Sequence, residues 1–425
     1  MDKYQQWFTT RRKFITESIS IGLGVALTAN RSALAQRNPQ VRKKGFKVRT
    51  DFAGGGGTVE KIDGNAGTIR FKPHNERAGG WSQVWWYFKV EGVVPGDVVT
   101  LMLNQMNPAG EGVAPQAYWS YDQTRWEMTA PAEEIMEEQV RYVVYKQRVR
   151  SRQVWFAYNI PYLPEQSQWL LNPKNKSVTV QNLCLTKKGR PVYAIHLAHT
   201  APGMEKPFQV WLQARAHAFE SGASWVLHEL TLWLLSDAPF AKRLRATADI
   251  TIVPIIDVDG VLEGRTGKDH IPHDQNRDWD EKPPYWPEVK AIKKQLQSLS
   301  ESDGPDLFID IHGPGNATHP YFICPLPTLL RSDRQRKNQS AFLSQFENST
   351  MTGEIKKTQS MDKFYHSLRE INRQSAAGWV GLHTGSATVA VTLEVNMLTP
   401  MSTAQGYQKQ GRTLGAGIAR YFSEK

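Results

Sequence analysis

Four runs in the second half of the sequence are apolar almost without interruption: VYAIHLAHT (192–200), FQVWLQARA (208–216), ADITIVPIID (248–257) and DLFIDIH (306–312). A fifth, ATVAVTLEVN, spans Ala387–Asn396. A strand with one face in water alternates apolar and polar residues, whereas a run apolar at successive positions is covered on both faces. Helix-like segments lie among these runs at Ala223–Ser236, Trp286–Ser298, weakly at Leu343–Phe346, and at Ala404–Phe422. The alternation predicts an α/β fold over residues 159–425: a mixed, mostly parallel sheet with helices on both faces.

The text before residue 159 has another character. GTIRFKP, SQVWWYFKVEG, DVVTLMLNQM, TRWEMTA, VRYVVYKQRV and QVWFAYNIPY are short, alternating or aromatic and β-branched, and separated by turn residues. DFAGGGGTV opens the series as a turn. Only a short acidic piece near Ala132–Gln139 has helical character. An all-β antiparallel sandwich over residues 36–158 is expected.

The first 35 residues form a third region. Arg11-Arg12 precede Phe14-Ile15, an apolar stretch runs from Ile19 to Ala29, and Ala33-Leu34-Ala35 has the small residues of a cleavage site. The apolar stretch is too short to span a bilayer. The pattern resembles a twin-arginine export signal, so the expected location is the periplasm or the exterior, with no stable membrane span once the signal is removed. The formal net charge is +11, and 47 Lys and Arg against 39 Asp and Glu remain beyond residue 35. That balance favours acidic partners, but no nucleic-acid motif accompanies it, and nucleic acid is excluded as the partner. Cys184 and Cys324 are too few for a disulfide framework and lack the spacing of a zinc site; two buried free thiols are expected, with a single bridge between them as the alternative. Oligomeric state is not legible.

Open α/β sheets bind ligands beyond the carboxyl ends of their strands, so polar residues there are the candidates. His217 and Glu220 follow QVWLQARA; Glu263-Gly264-Arg265 and then HDQNRDW follow TIVPIIDVDG; His312 ends LFIDIH; Glu394 ends VAVTLE. Two histidines and a carboxylate form a zinc set that leaves a position for water. Zinc acidifies that water and polarises a carbonyl, and a separate carboxylate must then take the proton. Glu394 suits that task, since partial desolvation at a strand end raises a carboxylate's pKa. A guanidinium beside such a site holds a carboxylate through two bonds or stabilises an oxyanion. Arg277, next to Asn276, and Arg265 are available for these two tasks.

The ordered set His-x-x-Glu, Asp-x-Asn-Arg, Ile-Asp-Ile-His-Gly and Thr-Leu-Glu resembles the zinc carboxypeptidases of the carboxypeptidase A type. The preceding WSQVWWYFKVEG and NIPY resemble the N-terminal domain of the cytosolic-carboxypeptidase branch, which includes tubulin-type deglutamylases. The resemblance implies one zinc ion held by His217, Glu220 and His312, with Glu394 as general base. It further implies Asn276 and Arg277 as the clamp for the terminal carboxylate, Arg265 as the oxyanion arginine, and Asp274 as the aspartate that orients the first zinc histidine. The implied substrate is a peptide or protein C-terminus, with acidic residues among those released. Two departures stand out. Ala218-Phe219 replace the family's Pro-Gly between the ligands, which predicts a changed edge to the site. No tyrosine stands close before Glu394: Tyr365 lies 29 positions upstream, leaving Trp379 or His383 to line that side, with Arg373 as a candidate for binding an acidic side chain. Two further readings are a zinc amidohydrolase of N-acyl amino acids or cell-wall peptides, and a non-catalytic binding protein.

Overall fold

The computed structural model describes residues 46–77, 80, 83–104, 113–168, 178–300, 304–313, 320–325, 327–346, 373–395 and 397–425. The export-signal residues 1–35 and Tyr365 lie outside the described residues.

The β-rich first part forms two five-stranded sheets. One is ordered β1 (Lys47–Arg49), β4 (Tyr87–Glu91), β10 (Gln153–Ala157), β6 (Tyr118–Ser120) and β7 (Glu127–Met128); the other is β2 (Thr58–Asp63), β3 (Thr68–Lys72), β5 (Val98–Asn104), β9 (Val140–Arg148) and β8 (Glu133–Glu137). The period-two pattern does what it predicts: Ile69, Phe71, Phe88, Val90, Leu101, Leu103, Val154 and Phe156 share one buried core. The sandwich is antiparallel except for β3 and β5, which pair in parallel. The acidic piece expected to be helical is edge strand β8 instead. Its carboxylates face cations on β9, Glu133 with Lys146 at 2.8 Å and Glu134 with Arg141, and charged side chains suit a strand with an unpaired edge.

The second part is built on a seven-stranded sheet ordered β11 (Val178–Leu185), β12 (Pro191–Leu197), β14 (Ala248–Val253), β13 (Phe208–Ala214), β15 (Leu307–His312), β17 (Val389–Glu394) and β16 (Tyr321–Ile323). The four strands β14, β13, β15 and β17 run parallel, while β11, β12 and β16 pair antiparallel. The helices are α1 (Pro164–Ser167), α2 (Ser221–Leu234), α3 (Pro239–Thr247), α4 (Val258–Leu262), α5 (Pro287–Ser300), α6 (Asp333–Ser344), α7 (Ala376–His383) and α8 (Ala404–Ser423). Successive strand residues face opposite layers. Ile309 and Val391 join the core of Leu227 and Leu414 from α2 and α8, while Phe308 and Ala390 join that of Ile292 and Val380 from α5 and α7. This two-sided burial is why the central runs carry so few polar residues. The weak helical signal at Leu343–Phe346 marks the end of α6, which begins where Ser332 Oγ accepts from the Gln335 amide at 2.9 Å.

The sandwich meets the α/β layer beside the strand ends. Phe219 is fully buried, packs in the sandwich core with Met397, and lies 6.2 Å from Tyr158 between ring centroids. It anchors one layer to the other. Phe219→Ala removes a large buried side chain and is expected to cost about 3–5 kcal/mol in denaturant unfolding; a loss below about 1 kcal/mol would contradict this anchoring role. The glycine run belongs to the same contact. Gly264 has φ +63°, and a Cβ there would lie 2.0 Å from the Gly55 carbonyl oxygen.

Candidate metal centre

β13 ends at Ala214, and α2 begins at Ser221, leaving six residues to turn the chain. Arg215 takes a left-handed backbone, φ 65°, and its buried guanidinium donates to the carbonyl oxygen of Ala218, between the two candidate ligands, and to that of Tyr162 at 3.2 Å. A charge buried this deeply is tolerated only with its donors satisfied, and here their satisfaction ties down the turn. Arg215 was not singled out from the sequence.

His217, Glu220 and His312 each place one ligand atom within 4.8 Å of the others, and all three are buried. His217 Nδ1 lies 2.9 Å from Glu220 Oε1, His312 Nδ1 lies 2.9 Å from Glu220 Oε2, and the two Nδ1 atoms are 3.2 Å apart. The outer nitrogens face aspartates: His217 Nε2 is 3.3 Å from Asp274 Oδ1, and His312 Nε2 is 2.9 Å from Asp310 Oδ2. An imidazole whose Nε2–H is held by a carboxylate turns the Nδ1 lone pair inward, the arrangement a metal requires. Two such imidazoles and a carboxylate fit zinc.

Asp310 is the partner the sequence reading passed over. The period of a strand was the available signal, since residues 310 and 312 share a face of β15. Behind it, Gln213 Nε2 donates to Asp310 Oδ1 at 3.2 Å, and Trp211 Nε1 donates to Gln213 Oε1 at 3.0 Å. Burial opposes charge on His312, but Asp310 and Glu220 hold its pKa well above the ordinary value. Burial likewise opposes charge on Glu220 and Asp274; His217 and His312 pull Glu220 well down, and His217, Arg277 and the Asn276 amide lower Asp274.

Asp274 caps the turn Gln275–Arg277 by accepting from the Asn276 amide at 2.8 Å. Asn276 Oδ1 accepts from the Ala376 amide at the start of α7, at 3.0 Å, and Arg277 Nη1 donates to the Asn276 carbonyl oxygen at 3.1 Å. Glu394 ends β17 half-buried, in register with His312 across the parallel ladder, so the two side chains share a face. Arg265 turns to Glu263 at 3.0 Å, a carboxylate also paired with Lys188 and Arg190. Lys268, not considered from the sequence, stands beside the cluster: its Nζ is 3.9 Å from Glu220 Oε1. His270 and His273 are held by Asp257 and Asp278 at 2.7 and 2.6 Å, and thus serve the loop. Trp379 is buried in the α7 core, 5.8 Å from Trp279, and does not line an open side of the site; His383 stacks on Trp379 at the exposed end of that helix. Arg373 is exposed just before α7. The two cysteines are unbridged and half-buried rather than buried.

Next to this loop, Gln275 Nε2 donates to Glu288 Oε1 at 3.2 Å, while Glu288 Oε2 has no hydrogen-bond partner among the described residues. Burial pushes the Glu288 carboxyl up to about 7. The native state therefore keeps its proton where the unfolded chain, with a value near 4.5, has lost it. The associated stability is fully present below about pH 4.5 and is lost as pH rises through about 7. Glu288→Gln is expected to be more stable than the wild type at pH 8, by about 1–3 kcal/mol, and to approach it at pH 5. Denaturant unfolding at the two pH values checks this; equal differences at both would contradict it.

A profile of the zinc carboxypeptidase family, peptidase M14, matches residues 168–409, more than half of the chain. The chain belongs to the zinc carboxypeptidase family. Among curated relatives, mouse cytosolic carboxypeptidase 1 is 30% identical over 177 residues, 37% of this chain and 14% of its own length. The chain thus spans about a seventh of the length of that relative. An uncharacterized protein of Zymomonas mobilis is 27% identical over 275 residues, covering 63% of this chain and 67% of its own. The fold is shared with a metallo-carboxypeptidase of Burkholderia cenocepacia, at TM-score 0.75 and 20% identity over 89% of this chain and 99% of that one. It is also shared with a metallo-carboxypeptidase of Pseudomonas aeruginosa solved in complex with (2-guanidinoethylmercapto)succinic acid, at TM-score 0.72 and 21% identity over 89% and 99%. The zinc of this family fits the buried His-Glu-His cluster.

Proposed function

We propose that the protein is a zinc metallocarboxypeptidase that hydrolyses the last peptide bond of peptide or protein substrates. The reading is carried by the convergence of two Nδ1 atoms and one carboxylate on a single buried point, with Glu394 in register beside it. His217, Glu220 and His312 would hold the ion, and zinc bound there would supply a Lewis acid for the water and the attacked carbonyl. Asp274 and Asp310 keep both imidazoles in the liganding tautomer. Glu394 accepts the proton of the attacking water and passes it to the leaving nitrogen. Asn276 and Arg277 bind the substrate's terminal carboxylate, Arg277 through its fork of donors. The Pseudomonas aeruginosa protein's ligand, a succinic acid derivative, is the type of dicarboxylate such a clamp suits. Residues 36–158 serve as an N-terminal sandwich domain and 159–425 as the peptidase domain. The leader, residues 1–35, directs export by the twin-arginine route; N-terminal sequencing of exported protein should begin just after Ala35, and an intact leader on a cytosolic product would refute this.

The activity is tested by digesting one peptide pool with free C-termini and the same pool with amidated C-termini, read by mass spectrometry. Loss of single C-terminal residues from the free peptides alone is expected. Hydrolysis of N-acyl amino acids without peptide trimming would favour the amidohydrolase reading instead.

A further inference from the structure

We infer that Lys268, rather than Arg265, supplies the positive charge beside the attacked carbonyl; this rests on the carboxypeptidase reading above. Two cations occupy the loop after α4, and the structure sends them in opposite directions. Arg265 joins Lys188 and Arg190 around Glu263, and its side chain is 34% exposed. Lys268 has only 14% of its side chain exposed, and its Nζ stands 3.9 Å from Glu220 Oε1. That separation is an ion pair and not a hydrogen bond, so it leaves the Glu220 oxygens to the two histidines, each at 2.9 Å. The ammonium therefore borders the metal cluster without competing for its donor atoms.

The loop is built to hold it there. The Lys268 ammonium lies 5.2 Å from the Phe219 ring centroid, within cation–π reach. The buried Phe219 ring is the shelf for the lysine. Each neighbour of Lys268 is pinned. The Phe219 amide donates to the Thr266 carbonyl oxygen at 3.0 Å. The Gly267 amide donates to Glu76 Oε1 at 2.7 Å. Gly267, φ +84°, leaves no room for a side chain, since a Cβ would come 2.4 Å from the Ala218 nitrogen. The buried carboxylate of Asp269 pairs with Arg77 at 3.3 Å. Glu76 and Arg77 belong to the β-rich first part, so the sandwich holds the loop that carries the cation. When water attacks the carbonyl, the carbon–oxygen double bond becomes a negatively charged oxygen, and a fixed ammonium stabilises that oxygen more than the neutral carbonyl before it.

The test uses zinc-loaded, full-length protein with Lys268→Met, which keeps the length and the apolar contact, Lys268→Arg, and Arg265→Met. Steady-state kinetics on a free-C-terminal peptide are measured together with zinc content and the affinity of a phosphinic peptide analogue by calorimetry. Lys268→Met is expected to lower kcat by about 10²–10³-fold, with KM within about threefold, zinc content unchanged, and analogue affinity falling in parallel. Lys268→Arg should restore much of the kcat and the affinity, and the loss at Lys268→Met should exceed that at Arg265→Met at least about tenfold. An active wild type with a Lys268→Met kcat within about tenfold, or a larger loss at Arg265→Met, overturns the assignment alone. A zinc-loaded wild type that trims no peptide overturns the carboxypeptidase reading, and this assignment with it.

Discussion

Glu394→Gln should retain zinc and bind substrate yet lose at least about 10³-fold in kcat. The substitution keeps size and hydrogen-bonding reach but removes the capacity to take a proton, so only the step that needs a base is affected. The placement explains the size of the effect. Glu394 ends β17 in register with His312, on the same face of the sheet, and is half-buried. Among the candidates near the cluster, Glu220, Asp274 and Asp310 are each engaged by a histidine ring nitrogen. The proposed base is therefore assigned from its register with His312 at the end of β17. Kinetics and metal analysis on one preparation check this. A kcat within about tenfold of the wild type, at equal zinc content, would place the base elsewhere.

Removing a ligand should be worse for the protein than removing the base. His312→Ala is expected to abolish stoichiometric zinc binding and to destabilise the fold by about 3–5 kcal/mol. Asp310 and Glu220 are both buried and both face His312 at 2.9 Å, and the truncation leaves two buried carboxylates without that partner. Asp310→Asn should be milder, weakening zinc by about 10–100-fold while the chain stays folded, because it disturbs only the tautomer of His312. Chelator competition and denaturant unfolding separate the two effects. Full zinc occupancy in His312→Ala would contradict the ligand assignment.

What was legible in the sequence follows from how each signal arises. The central strands are buried on both faces, so their composition betrays them, and a polar residue where such a run stops has to face the strand-end crevice. His217, His312 and Glu394 are recognisable for that reason, and Glu220 by its single turn of separation from His217. The positions of Lys268 and Arg265 are set otherwise. Glu76, Arg77 and Phe219 hold this loop from about 190 and 50 positions away in the chain. No local pattern reports such contacts. Strand β8 misled for a similar reason: Glu133–Glu137 is acidic, and its pairing with β9, where Lys146 and Arg141 meet two of its carboxylates, is not a local pattern. Phe219 sits between two ligands in sequence, and that its ring packs into the other layer's core is set by contacts no local pattern carries.

The most direct test of the zinc centre is X-ray absorption at the zinc K-edge of the purified protein loaded with one equivalent of metal. The expected shell is nitrogen and oxygen only, at about 2.0–2.2 Å, with the multiple-scattering pattern of two imidazoles; His312→Ala should remove it. A sulfur shell near about 2.3 Å, or a single imidazole, would show that the ion binds elsewhere and would contradict a centre made of His217, Glu220 and His312.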